Sequence, residues 1–272
     1  MATLVIKPAK GWIPLNLREM WRYRELFVFL GLRDIKVRYK QTVLGASWAI
    51  IQPLLTTTVF SVFFGGLGKI PSDGIPYPVF CYCGMLPWTY FSNSLSRGSA
   101  SIVGNAHLIS KIYFPRLIIP ASMMVQPLID FAISFGALIC VMLYFHMTPP
   151  ATAFVYIPLL TLLASALALA ISLWLGALNV YYRDIAHIVP FLTQLWMFSS
   201  PIVFPYSLIP AKYQQIAALN PIVGLVEGFR SALLGRPWMV EPLLTSVGIT
   251  LVLLASGAFF FRRLESDFAD VA

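Results

Sequence analysis

Residues 154–182 read FVYIPLLTLLASALALAISLWLGALNVYY, 29 positions without a charged side chain. A helix that crosses a bilayer needs roughly 20 mostly apolar residues, because in about 30 Å of hydrocarbon only a helix satisfies its own backbone groups. The stretch is long enough, and that length decides the class of fold. Five more stretches follow the same rule. Residues 43–67 are uncharged and end at the Gly65, Gly66, Gly68 cluster, and residues 77–96 end at Arg97. Residues 117–145 carry one charge, Asp130, residues 185–204 are disrupted by Pro201 and Pro205, and residues 242–261 are stopped by Arg262 and Arg263. The expected fold is an all-α membrane protein with six transmembrane helices and both termini on one side.

Composition agrees. Of 272 residues, 58% are hydrophobic and 11% charged, where a soluble domain carries about 25% charged residues. Mean hydropathy is +0.78, more apolar surface than one core of this length could hide from water. The net charge of +8 would suggest nucleic acid in a soluble chain, but nine of the nineteen basic residues lie in the first 40 positions. The basicity belongs to a juxtamembrane segment, and nucleic acid is excluded as a partner. With a cytoplasmic N-terminus, 15 basic residues flank inner ends, among them Arg97, Lys111, Arg116, Arg183, Arg262 and Arg263. Only Lys69, Lys212, Arg230 and Arg236 fall outside. The positive-inside rule therefore puts both termini in the cytoplasm and the chain in the cytoplasmic (inner) membrane. Residues 1–40 show no apolar core bounded by a cleavage site, so the N-terminus is expected to stay on the protein.

Two regions follow from this pattern: a cytoplasmic amphipathic interface segment over residues 1–40 and a transmembrane domain over residues 41–272. In the first, Trp12, Trp21, Tyr23, Phe27, Phe29 and Tyr39 interleave with Arg18, Arg22, Arg24, Arg33, Lys36, Arg38 and Lys40. Such a helix lies on the inner membrane surface among anionic lipid head groups, and its plainer reading is a generic anchor. Residues 205–240 are too apolar for a solvated loop and are broken by Pro210, Pro221 and Pro237. They are expected to form two short helices that dip back from the outer face, a re-entrant segment between helices five and six.

Catalytic signatures are missing. There is no G-x-x-x-x-G-K-[ST], and the look-alike at residues 65–69 is followed by Ile70, so no nucleotide site is read. His107, His146 and His187 fall in separate flanks without metal-ligand spacing, and no G-x-S-x-G marks a serine nucleophile. Cys81, Cys83 and Cys140 read as buried thiols. The chain is expected to be no enzyme, with no cofactor and no metal. A proton-coupled secondary carrier acting alone is the alternative, and its support is the single intramembrane charge, Asp130. A structural membrane scaffold is a third reading.

Particular strings say more than composition. The run Arg33-Asp34-Ile35-Lys36-Val37-Arg38-Tyr39-Lys40-Gln41-Thr42-Val43-Leu44-Gly45, continuing to Trp48 and Gln52-Pro53, resembles the opening of the ABC-2 type polysaccharide-exporting permeases. Three further strings agree and keep the family's order: Tyr113-Phe114-Pro115-Arg116, Asn179-Val180-Tyr181-Tyr182-Arg183-Asp184-Ile185, and Asn220-Pro221 with Gly228-Phe229-Arg230. The resemblance implies a homodimer of six-helix subunits bound to two copies of a separate ATPase subunit, which would hold ATP and Mg. It implies outward movement of a lipid-linked polysaccharide, O-antigen foremost, with capsule and teichoic acid as other possibilities.

A chain without a phosphate-binding loop must take its driving force from a partner through cytoplasmic surfaces. Residues 101–113 offer one, with Asn105 as a helix cap followed by His107, Leu108, Ile109 and Lys111 and then Arg116. The resemblance implies a coupling helix there, and the plainer reading is an ordinary positive-inside loop. Arg183 and Asp184 offer a second surface, whose plainer reading is a helix-end ion pair. For the conduit, sugar C–H faces stack on aromatic rings without a fixed register. The candidate rings include Trp48, Phe60, Tyr82, Trp88, Tyr90, Trp196 and Phe198, although such rings also form interface belts.

Overall fold

The computed structural model describes residues 17–40, 45, 47–109, 111–265 and 268. Lys7, Lys10, Trp12, the 41–44 part of the first string with the start of the first span, and Ser110 lie outside the described residues. Among the described residues all regular structure is helical. Two helices come first, α1 (Leu17–Arg22) and α2 (Arg24–Lys40). Next comes α3 (Ser47–Phe60), which widens into a π-helical stretch over Ser61–Leu67 where the Gly68 N–H reaches the Phe63 carbonyl at 2.8 Å. Then come α4 (Tyr77–Gly104), α5 (Ala106–Ile109), α6 (Ile118–Ser122) and α7 (Val125–Tyr144). The last five are α8 (Ala153–Tyr181), α9 (Ile185–Phe198), α10 (Ala211–Ala218), α11 (Pro221–Leu234) and α12 (Val240–Leu264).

Four helical stretches are long and apolar enough to cross a membrane: Ser47–Leu67, Ile118–Tyr144, Ala153–Tyr181 and Val240–Leu264. They match the first, third, fourth and sixth stretches of the sequence reading. The second is different in kind. α4 has 28 residues, so it is long enough, but it carries Ser94, Ser99 and Ser101, all buried. It packs against α8, α7, α11 and α3, and a helix enclosed by protein need not be as apolar as one facing lipid. It also runs on past Arg97, where the sequence suggested a stop. α9, with 14 residues, spans only about 21 Å at 1.5 Å per residue. α10 and α11 form an apolar pair bent by 100°, the shape of a broken span or a re-entrant loop.

Local chemistry sets the ends of α11. The Asn220 side chain accepts the Ile222 N–H at 3.1 Å, Pro221 occupies the first helical position, and Gly235 closes the helix at φ +65°. Close packing then places α11 on α12. A Cβ on Gly224 would overlap the Pro242 carbonyl oxygen and Ser246 Oγ, so only glycine lets the two backbones approach this far.

Three expectations need correction. Cys81 and Cys83 are buried, but Cys140 on α7 is exposed. Apolar and basic residues of α2 are not sorted to opposite faces: Val28, Phe29, Leu32 and Val37 are exposed beside Lys36 and Lys40. The reason is packing, since α2 leans on α6 and α7 with Leu30 and Gly31 buried. Arg230, read as an outer flank charge, is fully buried.

Candidate functional site

Polar side chains concentrate at three places, and the two ends of the bundle differ. At the end that carries α2 and α5, Asp34 accepts from Arg33 at 3.0 Å and from Arg97 at 3.2 Å. Arg33 Nη2 also donates to Asn105 Oδ1 at 3.0 Å, and Asn105 Nδ2 donates to the Ser101 carbonyl at 2.8 Å. Asn105 therefore ends α4. Its backbone carbonyl receives the Leu108 and Ile109 N–H groups, while its side chain turns back and does not cap α5 as expected. Five residues beyond Asp34, Tyr39 donates its hydroxyl to Asp130, which also takes Arg38 Nη2 at 2.9 Å and Gln126 Nε2 at 2.5 Å. Burial foremost, then the hydrogen bond and charge of Asp130, push the Tyr39 hydroxyl up to about 12, so at neutral pH it is a donor. Asp130 is thus neutralised by α2 and is not a lone charge. Ser134, one turn beyond Asp130 on α7, donates to the Ala49 carbonyl at 2.5 Å. Arg116 donates from its backbone to Glu265 Oε1 at 2.9 Å, which fastens the 111–117 loop to the end of α12.

The second place is buried. Arg230 Nη1 donates to Glu227 Oε1 at 2.6 Å and to the Pro201 carbonyl at 2.7 Å, Nη2 donates to the Ile202 carbonyl at 2.6 Å, and the guanidinium lies 3.7 Å from the Phe80 ring centroid. The proline-broken stretch after α9 leaves those carbonyls free, and arginine's planar fork collects them. Beside it, Asn220 takes Trp196 Nε1 and donates to Ser200 Oγ, both at 2.8 Å.

The third place is the opposite end. Asp73, in a turn with φ +51°, accepts from Arg236 Nη2 at 2.7 Å and Ser207 Oγ at 3.0 Å. One carboxylate so joins the α3–α4, α9–α10 and α11–α12 connections. Burial works against its ionisation, but the hydrogen bonds from Arg236 and Ser207 outweigh it and hold the carboxyl below its ordinary value. A depressed carboxylate adds stability above its unfolded value of about 3.9 and loses it as pH falls through the folded value. Asp73→Asn is therefore expected to lower the thermal unfolding midpoint in detergent at pH 7 by an amount equivalent to about 1 kcal/mol or less, and by a smaller amount near pH 3. A deficit of equal size at both pH values rejects the clamp.

A profile of the ABC-2 type transporter family matches residues 25–234, which includes every helix from α2 to α11 except the first residue of α2. The chain belongs to the ABC-2 type transporter family. Its relatives include the O-antigen export system permease protein RfbA of Myxococcus xanthus, 31% identical over 93% of this chain and 97% of that protein. The Klebsiella pneumoniae protein of the same name is 27% identical over 91% and 95%, and the polysialic acid transport protein KpsM of Escherichia coli is 28% identical over 83% and 85%. This ABC-2 chain is a protein of the inner membrane, as are relatives called inner membrane transport permease YadH.

Within the ABC-2 chain the candidate coupling residues divide by exposure. His107 and Lys111 are exposed, with Ile112 and Tyr113 beside them, while Ile109 is buried and holds α5 to the core. Arg183 and Asp184 are both exposed and make no ion pair with each other among the described residues. They form a corner with exposed Tyr182 and His187. The candidate rings divide likewise. Tyr82, Trp88 and Tyr90 are buried within the subunit, Phe60 and Trp196 are half-buried, and Trp48 and Phe198 are exposed. Trp48 lines a groove of 540 Å³ with Arg38, Gly45, Gln52, Leu55 and Thr56. The Arg230–Glu227 pair escaped the sequence reading. Its one signal was a glutamate three residues before an arginine in an otherwise apolar run, residues 221–234.

Proposed function

We propose that the chain is the membrane subunit of an exporter that moves a lipid-linked polysaccharide, O-antigen foremost, outward across the cytoplasmic membrane. The observation that carries this is the 31% identity to an O-antigen export permease over 93% of the chain. In this reading two copies of the chain pair with two copies of an ATPase that holds ATP and Mg. Residues 41–272 form the transmembrane domain, and residues 1–40 lie on the cytoplasmic side against lipid head groups. The chain crosses six times with both termini inside: α4 and α9 complete the set of four apolar spans, and the α10–α11 pair turns back at the outer face. The exposed residues His107, Lys111, Ile112 and Tyr113 and the corner at Arg183 and Asp184 meet the ATPase. Trp48 and Phe198, exposed on α3 and α9, face the polymer or the second copy.

The test is co-purification with an ABC ATPase from the same organism, followed by reconstitution. The isolated chain is expected to hydrolyse no ATP, and the complex is expected to hydrolyse ATP and retain a glycolipid identifiable by mass spectrometry. Export that persists without the ATPase and follows a proton gradient would instead support a carrier acting alone.

A further inference from the structure

α2 is gripped at two points, one reaching Arg97 and Asn105 at the end of α4 and the other reaching Asp130 on α7. We infer that α2 passes displacement of the α5 corner to Asp130 within α7, with Asp34 as the receiving grip and Arg38 and Tyr39 as the delivering grip. The inference rests on the reading that the α5 corner meets an ATPase, and it names the residues through which that contact acts.

Asp34 and Arg38 are four residues apart and so share one face of α2. On that face Asp34 holds Arg97 at 3.2 Å, and neighbouring Arg33 holds Asn105 at 3.0 Å. Asn105 is the residue between the end of α4 and the start of α5, so a shift of the corner moves the partner of Arg33 directly. One turn before Asp34, a Cβ on Gly31 would lie 3.1 Å from Val125 Cβ, which seats α2 against the first residue of α7. The far grip closes on Asp130, the only carboxylate between Asp73 and Asp184 and hence the one acidic handle on α7. Asp34 and Asp130 side chains are each 11% exposed. Carboxylates so enclosed are held to their cationic partners, because separation leaves a charge without water or counter-charge. The grips therefore move together with the helix that joins them.

The test uses the reconstituted complex of the full chain with its ATPase and reads polysaccharide exported per ATP hydrolysed. Asp34→Asn and Tyr39→Phe each keep size and shape while weakening one grip. Each is expected to lower the ratio about fivefold with the complex still assembled and ATP still hydrolysed. The two positions share no partner, so independent effects would multiply to about 25-fold in the double variant. Transmission in series predicts that the double variant is no worse than the poorer single. A ratio unchanged in either single variant overturns the inference, as does a multiplied loss in the double, and so does a variant that fails to co-purify with the ATPase. A wild-type complex that hydrolyses no ATP or exports nothing would refute the exporter reading itself, whatever the variants do.

Discussion

Replacing Arg230 with Met is expected to cost about 3–5 kcal/mol, the range seen when one partner of a buried ion pair is removed. The substitution keeps volume and apolar contact with Phe80, but it leaves the Glu227 carboxylate and the Pro201 and Ile202 carbonyls without their donor. Water cannot replace the guanidinium, since the side chain is fully buried. Arg230→Lys should recover only part of the loss, because an ammonium lacks the planar fork that reaches three oxygens from two nitrogens. Thermal unfolding in detergent, together with the yield of membrane-inserted protein, measures both. A Met variant with the wild-type midpoint would show that the stretch after α9 holds its shape without this anchor.

The second large effect is steric. Gly224→Val is expected to destabilise the chain by about 3 kcal/mol, the upper range for overpacking a close contact, because the added atoms collide with backbone at Pro242. Backbone cannot rotate aside as a flexible side chain can. Gly248→Ala on α12 is the control, since a Cβ there meets nothing within 4 Å, and it should be neutral or slightly stabilising in a helix. If both variants unfold at the wild-type temperature, α11 is not held to α12 by this contact.

What was legible in the sequence was whatever a local window can see. The uncharged run at residues 154–182 corresponds to α8 at Ala153–Tyr181, because absence of charge and helix length are both local. The bend of the 205–240 region was visible for the same reason, since Asn220-Pro221 and Gly235 punctuate it. Partners far apart in the chain were not. Arg97 reads as the end of a helix, yet α4 continues because Asp34, 63 residues earlier, neutralises it. Asp130 reads as an isolated charge, yet Tyr39, 91 residues earlier, reaches it. Arg230 reads as an exposed flank, yet carbonyls 28 and 29 residues earlier draw it inward. The strings that carried the family resemblance prove to be joints of this kind. Asn179 donates to the Ser99 carbonyl at 3.1 Å, and Asn220 ties α11 to Trp196 and Ser200.

The three thiols make the natural chain a ready-made reporter. Cys81 and Cys83 sit inside the core, and Cys140 alone faces outward, on the same helix as Asp130. Any maleimide fluorophore taken up by the folded chain is therefore expected to report from Cys140, without any prior substitution. Energy transfer between two labelled chains would count copies in the assembly, and its change during ATP turnover would follow α7 directly.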